Sequence, residues 1–254
     1  MPESPYSPAA ELYDFINLHS DIRDYDAEAR LLIEQIQTLY PEARTILDIA
    51  CATGEHARRL SAIYQVDGID LAPEFIALAQ QKNPQGRFTC ADMLDFDLGR
   101  QYDILLCLSG SVGYLRTPEN LLRAFQSFRR HLAPGGYILV EPWFTPTRPV
   151  LPDEQGLGKI AMVVAEAAEQ KVCRMVYSRR EMNRSVLDFV YLVGSRSGIQ
   201  LKKERHELGL FSMAQMTAAF EEAGLHVAYY PGGLSPRGLY IAALHPLLPL
   251  TPDL

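Results

Sequence analysis

Apolar positions follow two alternating rhythms up to about residue 144 and a third beyond it. Ala29, Leu32, Ile33, Ile36 and Leu39 recur at helical spacing and Pro41 ends the run, so 11–40 predicts two helices. Short β-branched or apolar runs then alternate with helical patterns. Strands are expected at 44–50, 65–69, 87–90 and 102–108, with helices near 54–64, 73–82 and 118–132 between and after them. Ala133-Pro134-Gly135-Gly136 reads as a turn before a fifth strand, 137–141. The run 102–108 is almost continuously apolar, as in a strand buried on both faces. This alternation predicts parallel pairing in a doubly wound α/β sheet.

The rhythm changes after Trp143. A proline-rich connector, 145–152, leads into segments near 159–167, 171–180, 185–193 and 199–210 that lack a helical period, which predicts an antiparallel β insertion after strand five. Ser212 then caps a helix ended by Gly224, and strands follow at 225–230 and 238–244. The expected organisation is an N-terminal helical arm (1–43), a core from 44–144 and 211–245, and an insertion (145–210). The arm's first nine residues carry three prolines and predict a mobile lead-in.

Composition narrows the partners. The 254 residues are 48% hydrophobic and 22% charged, with a net charge of −7 and no basic block. A nucleic-acid partner is disfavoured, because phosphate contacts need clustered Lys and Arg. Neither a membrane-length apolar run nor a signal peptide is visible. The four cysteines show no paired spacing, so buried thiols in a reducing cytoplasm are expected. No metal is expected, since no His, Cys or carboxylate set has ligand spacing.

The candidate chemistry sits in Arg44-Thr45-Ile46-Leu47-Asp48-Ile49-Ala50-Cys51-Ala52-Thr53-Gly54-Glu55-His56: a strand, a turn of small residues and a helix N-terminus. A nicotinamide dinucleotide wants several glycines there for its pyrophosphate. This turn has one glycine, and an aspartate stands six residues before it. A cofactor with a sulfonium and an ammonium group suits that acid better. Asp48 would face the aminoacyl part, Asp70 the ribose hydroxyls and Asp92 an adenine amine, each at the end of a successive strand.

These segments, with Gly68-Ile69-Asp70, Ala91-Asp92-Met93 and Leu132-Ala133-Pro134-Gly135-Gly136, resemble the class I S-adenosylmethionine-dependent methyltransferases. That implies a Rossmann-like sheet. A narrower likeness runs through Glu11-Leu12-Tyr13-Asp14, Val140-Glu141-Pro142-Trp143, Tyr191-Leu192-Val193, Leu210-Phe211, Pro231-Gly232-Gly233 and Arg237-Gly238-Leu239. These are similar to the amino-sugar N,N-dimethyltransferases. The resemblance implies S-adenosylmethionine as cofactor, a small-molecule acceptor such as a dTDP-linked amino sugar, and an insertion that shapes the sugar-nucleotide pocket and a homodimer contact. By the same resemblance, Tyr13, Tyr25, Asp48, Ala50, Cys51, Ala52, Gly54, His56, Asp70, Leu71, Asp92, Met93 and Leu108 would touch the cofactor. Tyr6 and Tyr114 would act at the reacting amine, and Glu141, Trp143, Ser178, His206 and Arg237 would hold the acceptor.

Methyl transfer from a sulfonium needs alignment and a neutral amine more than a strong base. No triad is expected, and none is apparent in the sequence. Three alternatives stay open at this point: N- or O-methylation of another metabolite, such as an amino acid or a peptide-derived natural product; a cofactor-binding protein without turnover; and a nicotinamide oxidoreductase. Lys202, Lys203 and Arg205 stand where they could receive another anion. Ala52 stands where close relatives have glycine; a positive φ there would strain the alanine, otherwise its methyl narrows the approach to the cofactor, and somewhat weakened cofactor affinity is expected.

Overall fold

The computed structural model describes residues 10–147 and 158–247. Tyr6, the lead-in 1–9 and most of the proline-rich connector lie outside the described residues. Helices α1 (Ala10–Leu18) and α2 (Tyr25–Leu39) come first. Next are β1 (Thr45–Ile49), α3 (Glu55–Leu60), β2 (Gln65–Asp70), α4 (Pro73–Lys82), β3 (Phe88–Cys90) and β4 (Tyr102–Cys107). A 3-10 turn (Ser111–Leu115), α5 (Pro118–Arg130) and β5 (Leu132–Val140) complete the alternating part. Four long strands follow: β6 (Lys159–Ala167), β7 (Gln170–Glu181), β8 (Arg184–Ser195) and β9 (Gly198–Gly209). Then come α6 (Met213–Glu222), β10 (His226–Tyr230) and β11 (Leu239–Ala243).

The main sheet runs β10-β11-β5-β4-β1-β2-β3. Strands β1 to β5 pair in parallel, and β11 is antiparallel to both β5 and β10. The chain moves from β1 outward to β2 and β3, then returns to β4 on the other side of β1. That reversal opens a crevice beyond the C-terminal ends of β1 and β4, where ligands of such sheets bind. Apolar clusters cover both faces. One holds Phe125, Phe128 and Phe220 from α5 and α6, and the other holds Leu32 and Ile36 from α2. Ile104, Leu105 and Leu106 of β4 are fully buried, each contributing about 1.5–3 kcal/mol of transfer free energy. Local chemistry agrees with the packing: Asp24 caps α2, and Ser212 forms a capping box with Gln215 at α6.

Two expected boundaries are wrong. The helix expected to reach 64 stops at Leu60, and turn residues lead into β2. Pro134-Gly135-Gly136 does not precede the fifth strand as a turn but lies inside it. Tyr102 pairs with Leu132 and Ile104 with Tyr137, so the extra residues bulge out while pairing continues on both sides. Glycine is required at Gly136 because a Cβ there would come within 2.4 Å of the Asp103 carbonyl oxygen.

Strands β6 to β9 form a separate antiparallel sheet in sequence order. Its inner face carries Ala165, Val172, Tyr191 and Val193, which pack against Leu12 and Ile16 of α1. Further along that face Leu187 and Phe189 border the crevice, beside His206 across the β8–β9 register. The sheet thus forms a wall over the end of the main sheet. Among the described residues no helix is long and apolar enough to cross a membrane.

Candidate active site

A cavity of about 430 Å³ fills the crevice. Its floor is the β1–α3 turn. Cys51 N–H donates to the Ile69 carbonyl (3.0 Å), which ties the turn to β2. Gly54 opens α3 at φ +75°, and Asn83, just past α4, donates to its carbonyl (3.1 Å). The floor is strained. Ala50 (φ 59°), Ala52 (48°), Ser109 (61°) and Arg116 (65°) all hold left-handed backbone and all line the cavity. Such conformations cost a non-glycine residue about 1–2 kcal/mol and cluster where a site needs them. Ala52 therefore does sit at positive φ. Its backbone strain is relieved by glycine, and only part of that gain is cancelled by glycine's larger unfolded-state entropy. Ala52→Gly should raise the melting temperature by about 1–3 °C and tighten cofactor binding. A lower melting temperature by calorimetry would refute the strain account.

Three acids face the floor. Asp70 at the end of β2 accepts from Ala52 N–H and Ala72 N–H, both at 2.9 Å, and so holds the turn in place. Burial raises its pKa, against the lowering by those amides. Asp92 accepts from Leu94 N–H (2.9 Å) just past β3. Asp48 is buried, and its Oδ2 has no hydrogen-bond partner. Burial, reinforced by repulsion from Asp70 and only partly offset by Arg23, pushes the Asp48 carboxyl up to about 7. An orphaned buried carboxyl oxygen costs stability unless a cation arrives to meet it.

The titration has a sign that can be tested. Asp48 in the free protein holds its proton below about pH 7. A bound ammonium or sulfonium requires the anion, so a proton must leave. Cofactor affinity should rise with pH through that range and level off above it, being about tenfold weaker at pH 6 than at pH 8. Calorimetry in buffers of different ionisation heat reads this directly, and binding without proton release at pH 6 would contradict it. The same raised pKa favours the folded free protein at low pH, and that contribution fades as pH rises through 7.

The arm closes one side. Asp14 of α1 accepts from the Thr53 hydroxyl and pairs with Lys82 (2.5 Å), which also pairs with Glu55 (2.8 Å). Tyr13 packs on Phe75 (centroids 5.0 Å apart). Arg23 lies over the Tyr25 ring (4.6 Å), donates to Glu28 (2.8 Å) and reaches Ser109 Oγ (2.6 Å) beyond β4. His56 meets Glu28 at 2.7 Å and Tyr25 edge-on. Burial pushes Glu28 up, but hydrogen bonds from His56 and Arg23 outweigh it and hold the carboxyl at about 2. Burial lowers His56, partly offset by Glu28. The arm is bolted to the floor by charge.

Of the residues expected to touch the cofactor, Tyr13, Tyr25, Asp48, Ala50, Cys51, Ala52, His56, Asp70, Leu71, Asp92, Met93 and Leu108 line this cavity. Gly54 lies outside its wall, its role being the helix start. Tyr114, Trp143 and His206 line the same cavity, with His206 on the inner face of β9. Glu141 and Arg237 border a second cavity of about 380 Å³, which shares Tyr13, Arg23, Ser109 and Phe189 with the first. There Glu141 accepts from Ser109 N–H (2.6 Å), Arg237 Nη2 (2.7 Å) and the Ser235 hydroxyl. Ser178 is buried and faces Leu187 across the β7–β8 pair, one strand away from the wall. Of the cations that could receive another anion, Lys202 pairs with Glu11 and Arg205 with Glu207 (3.3 Å).

Sequence reasoning missed Arg23, Asp14 and Arg174. Arg23 stands just before the Asp24 cap, where nothing in the local pattern marks a site residue. One polar chain at the wall was also not foreseen. Tyr114 Oη lies 2.6 Å from His206 Nδ1, whose Nε2 faces Glu204 Oε2 at 3.4 Å. The alternation of β9, which sets Glu204 and His206 on one inward face, was the available signal.

Comparisons with known proteins identify the family. A methyltransferase-domain family profile matches residues 46–136. The chain is 36% identical to the dTDP-4-amino-2,3,4,6-tetradeoxy-D-glucose N,N-dimethyltransferase of Saccharopolyspora spinosa, over 94% of both chains. It is 34% identical to the dTDP-3-amino-3,4,6-trideoxy-alpha-D-glucopyranose N,N-dimethyltransferase of Streptomyces venezuelae, over 91% of this chain and 96% of the relative. Among solved structures it resembles Streptomyces venezuelae DesVI, with a TM-score of 0.85 at 34% identity, covering 94% of this chain and 98% of that one. It also resembles S-adenosylmethionine-bound CalS10, an amino pentose methyltransferase from Micromonospora echinaspora (TM-score 0.79, 30% identity, 96% and 98% coverage).

Proposed function

This chain belongs to the dTDP-amino-sugar N,N-dimethyltransferase family of S-adenosylmethionine-dependent methyltransferases, and from that premise we propose that it methylates the amino group of a nucleotide-linked amino sugar in natural-product biosynthesis. The floor fits the cofactor. The orphaned Asp48 oxygen would receive its ammonium, Asp70 its ribose hydroxyls and Asp92 its adenine amine, with Leu71, Met93 and Leu108 supplying apolar contact. The bound cofactor supplies an electrophilic methyl on sulfur and leaves as a neutral thioether. The chain's own work is to align the amine, exclude water behind the arm and remove protons from the acceptor nitrogen.

The observation that carries the sugar-nucleotide reading lies in the second cavity. Arg174 Nε and Arg237 Nε are both buried there without a hydrogen-bond partner. Arg237 also lies over the Trp143 ring (5.6 Å) and Arg174 over Phe189 (5.5 Å). Two unspent guanidinium donors beside the amine cavity suit a diphosphate. Incubation with methyl-labelled S-adenosylmethionine and a panel of dTDP-3-amino and dTDP-4-amino sugars tests this. Label in one of the sugars is the expected result; label only in another amine or a phenol removes the sugar and keeps the enzyme class.

The outer face of the four-stranded sheet supports a homodimer. Ile160 and Met162 are 63% and 65% exposed, and the register aligns them with Tyr177 and Met175. Leu192 and Leu201 continue the patch across β8 and β9. A contiguous apolar face of this kind marks an association surface, and a second copy is the occupant proposed here. Met162→Lys should convert the species in sedimentation to a monomer; a wild-type monomer rules the dimer out. The reaction is assigned to the cytoplasm on the four free cysteines, which cell fractionation checks.

A further inference from the structure

A polar chain runs from the cavity wall into the second sheet. The Tyr114 hydroxyl meets His206 Nδ1 at 2.6 Å; His206 Nε2 faces Glu204 Oε2 at 3.4 Å; the Tyr191 hydroxyl donates to that same oxygen at 2.7 Å. The side chains of His206 and Glu204 are each only 1% exposed. Phe189 packs edge-on against the imidazole (5.0 Å). The second Glu204 oxygen is buried without a partner. Burying a carboxylate against an imidazole costs several kcal/mol of desolvation, and a floor-and-wall role needs none of it. Leu or Phe would fill the same space.

We infer that Tyr114, His206 and Glu204 form a proton relay that takes the proton from the acceptor ammonium before each methyl transfer. The inference rests on the amine reading above. A Glu204 carboxylate offers only acceptors, so Nε2 carries the hydrogen that faces it. Nδ1 of the neutral ring then accepts from Tyr114. A phenol oxygen that donates in this way can still accept a hydrogen bond from an ammonium in the cavity. In the step, an N–H bond of the ammonium breaks and its proton passes to Tyr114 Oη. The Tyr114 proton passes to His206 Nδ1, and the imidazolium so formed faces Glu204. The amine lone pair forms the N–C bond to the methyl, and the C–S bonding pair stays on sulfur. His206 returns its proton through Tyr114 to solvent that enters the open cavity between turnovers, and the methylated ammonium enters the same cycle for a second methyl. Tyr114 touches the substrate; His206 and Glu204 act through it. Among the described residues, Tyr191 donates to the Glu204 end of the relay and Arg174 lies across Phe189 from it, while the Tyr114 end shares its cavity with Tyr13, Arg23, Arg116, Asp48, Asp70 and Asp92.

The test uses pH profiles of kcat with saturating acceptor and cofactor, for wild type, Tyr114→Phe, His206→Gln and Glu204→Gln. Tyr114→Phe and His206→Gln should lower kcat at neutral pH by about 100-fold or more, with acceptor KM within a few-fold. The deficit should shrink as pH rises and the amine arrives neutral. Glu204→Gln should lower the plateau and move the acid limb to lower pH. If His206→Gln or Glu204→Gln fails to fold, Tyr114→Phe, which keeps the ring, decides alone. Unchanged kcat and limbs in an active enzyme would overturn the relay, as would an Nδ1–H tautomer of His206 by nitrogen NMR of the resting protein. A wild type inert on every amine would instead overturn the functional reading, and the tautomer measurement would still judge the relay.

Discussion

Asp70→Ala should weaken S-adenosylmethionine binding by at least about 100-fold. The side chain has two roles that fail together. Its carboxylate would lose charge-assisted contacts to the ribose hydroxyls, each worth about 1.5–3 kcal/mol. The substitution also removes the acceptor for Ala52 N–H and Ala72 N–H, so the turn that approaches the cofactor loses its brace. Asp70→Asn keeps one acceptor and should lose only about tenfold. Titration calorimetry separates the two variants. Equal, small losses in both would mean that the acid merely shapes a loop.

The second large effect is on stability. Glu141 follows β5 directly and gathers Ser109 N–H from one loop and the Ser235 hydroxyl and Arg237 from another. Glu141→Ala leaves the Arg237 guanidinium, already short of a partner at Nε, without its counter-ion. Breaking a buried pair from one side costs about 3–5 kcal/mol, which corresponds to a fall of about 10 °C in melting temperature. The double variant Glu141→Ala/Arg237→Ala should recover part of that loss, because no unpaired charge remains. A single variant that melts like wild type would show that the hub is wet and weak.

The pattern of apolar residues made most of this fold legible. Strand and helix periods are strong where one or both faces are buried, and the four long strands of the insertion begin and end within three residues of their expected bounds. Pro134-Gly135-Gly136 misled for a physical reason. Those residues are turn-formers in isolation, and only the partner strand's continued pairing turns them into a bulge. The acids Asp48, Asp70 and Asp92 were readable because each ends or follows a strand of a parallel sheet, which places all three on one rim. The relay was not. Tyr114 and His206 are 92 positions apart, and their meeting depends on how the second sheet lies over the first. Arg23 is similar: its partners Glu28 and Ser109 belong to a helix and to a loop 86 positions away. The resemblance pointed to Ala52, and the structure adds Ala50, whose φ of 59° makes it a second strained alanine in the same turn.

The two cavities together make one claim: the nucleotide is held by arginines so that the sugar amine is presented to the cofactor. Turnover of a dTDP-linked amino sugar beside the same amino sugar without its nucleotide tests that claim most directly. The nucleotide-linked sugar should be methylated, and the free sugar should lose several orders of magnitude in kcat/KM, since remote binding energy orients the amine. Equal methylation of both sugars would contradict the account.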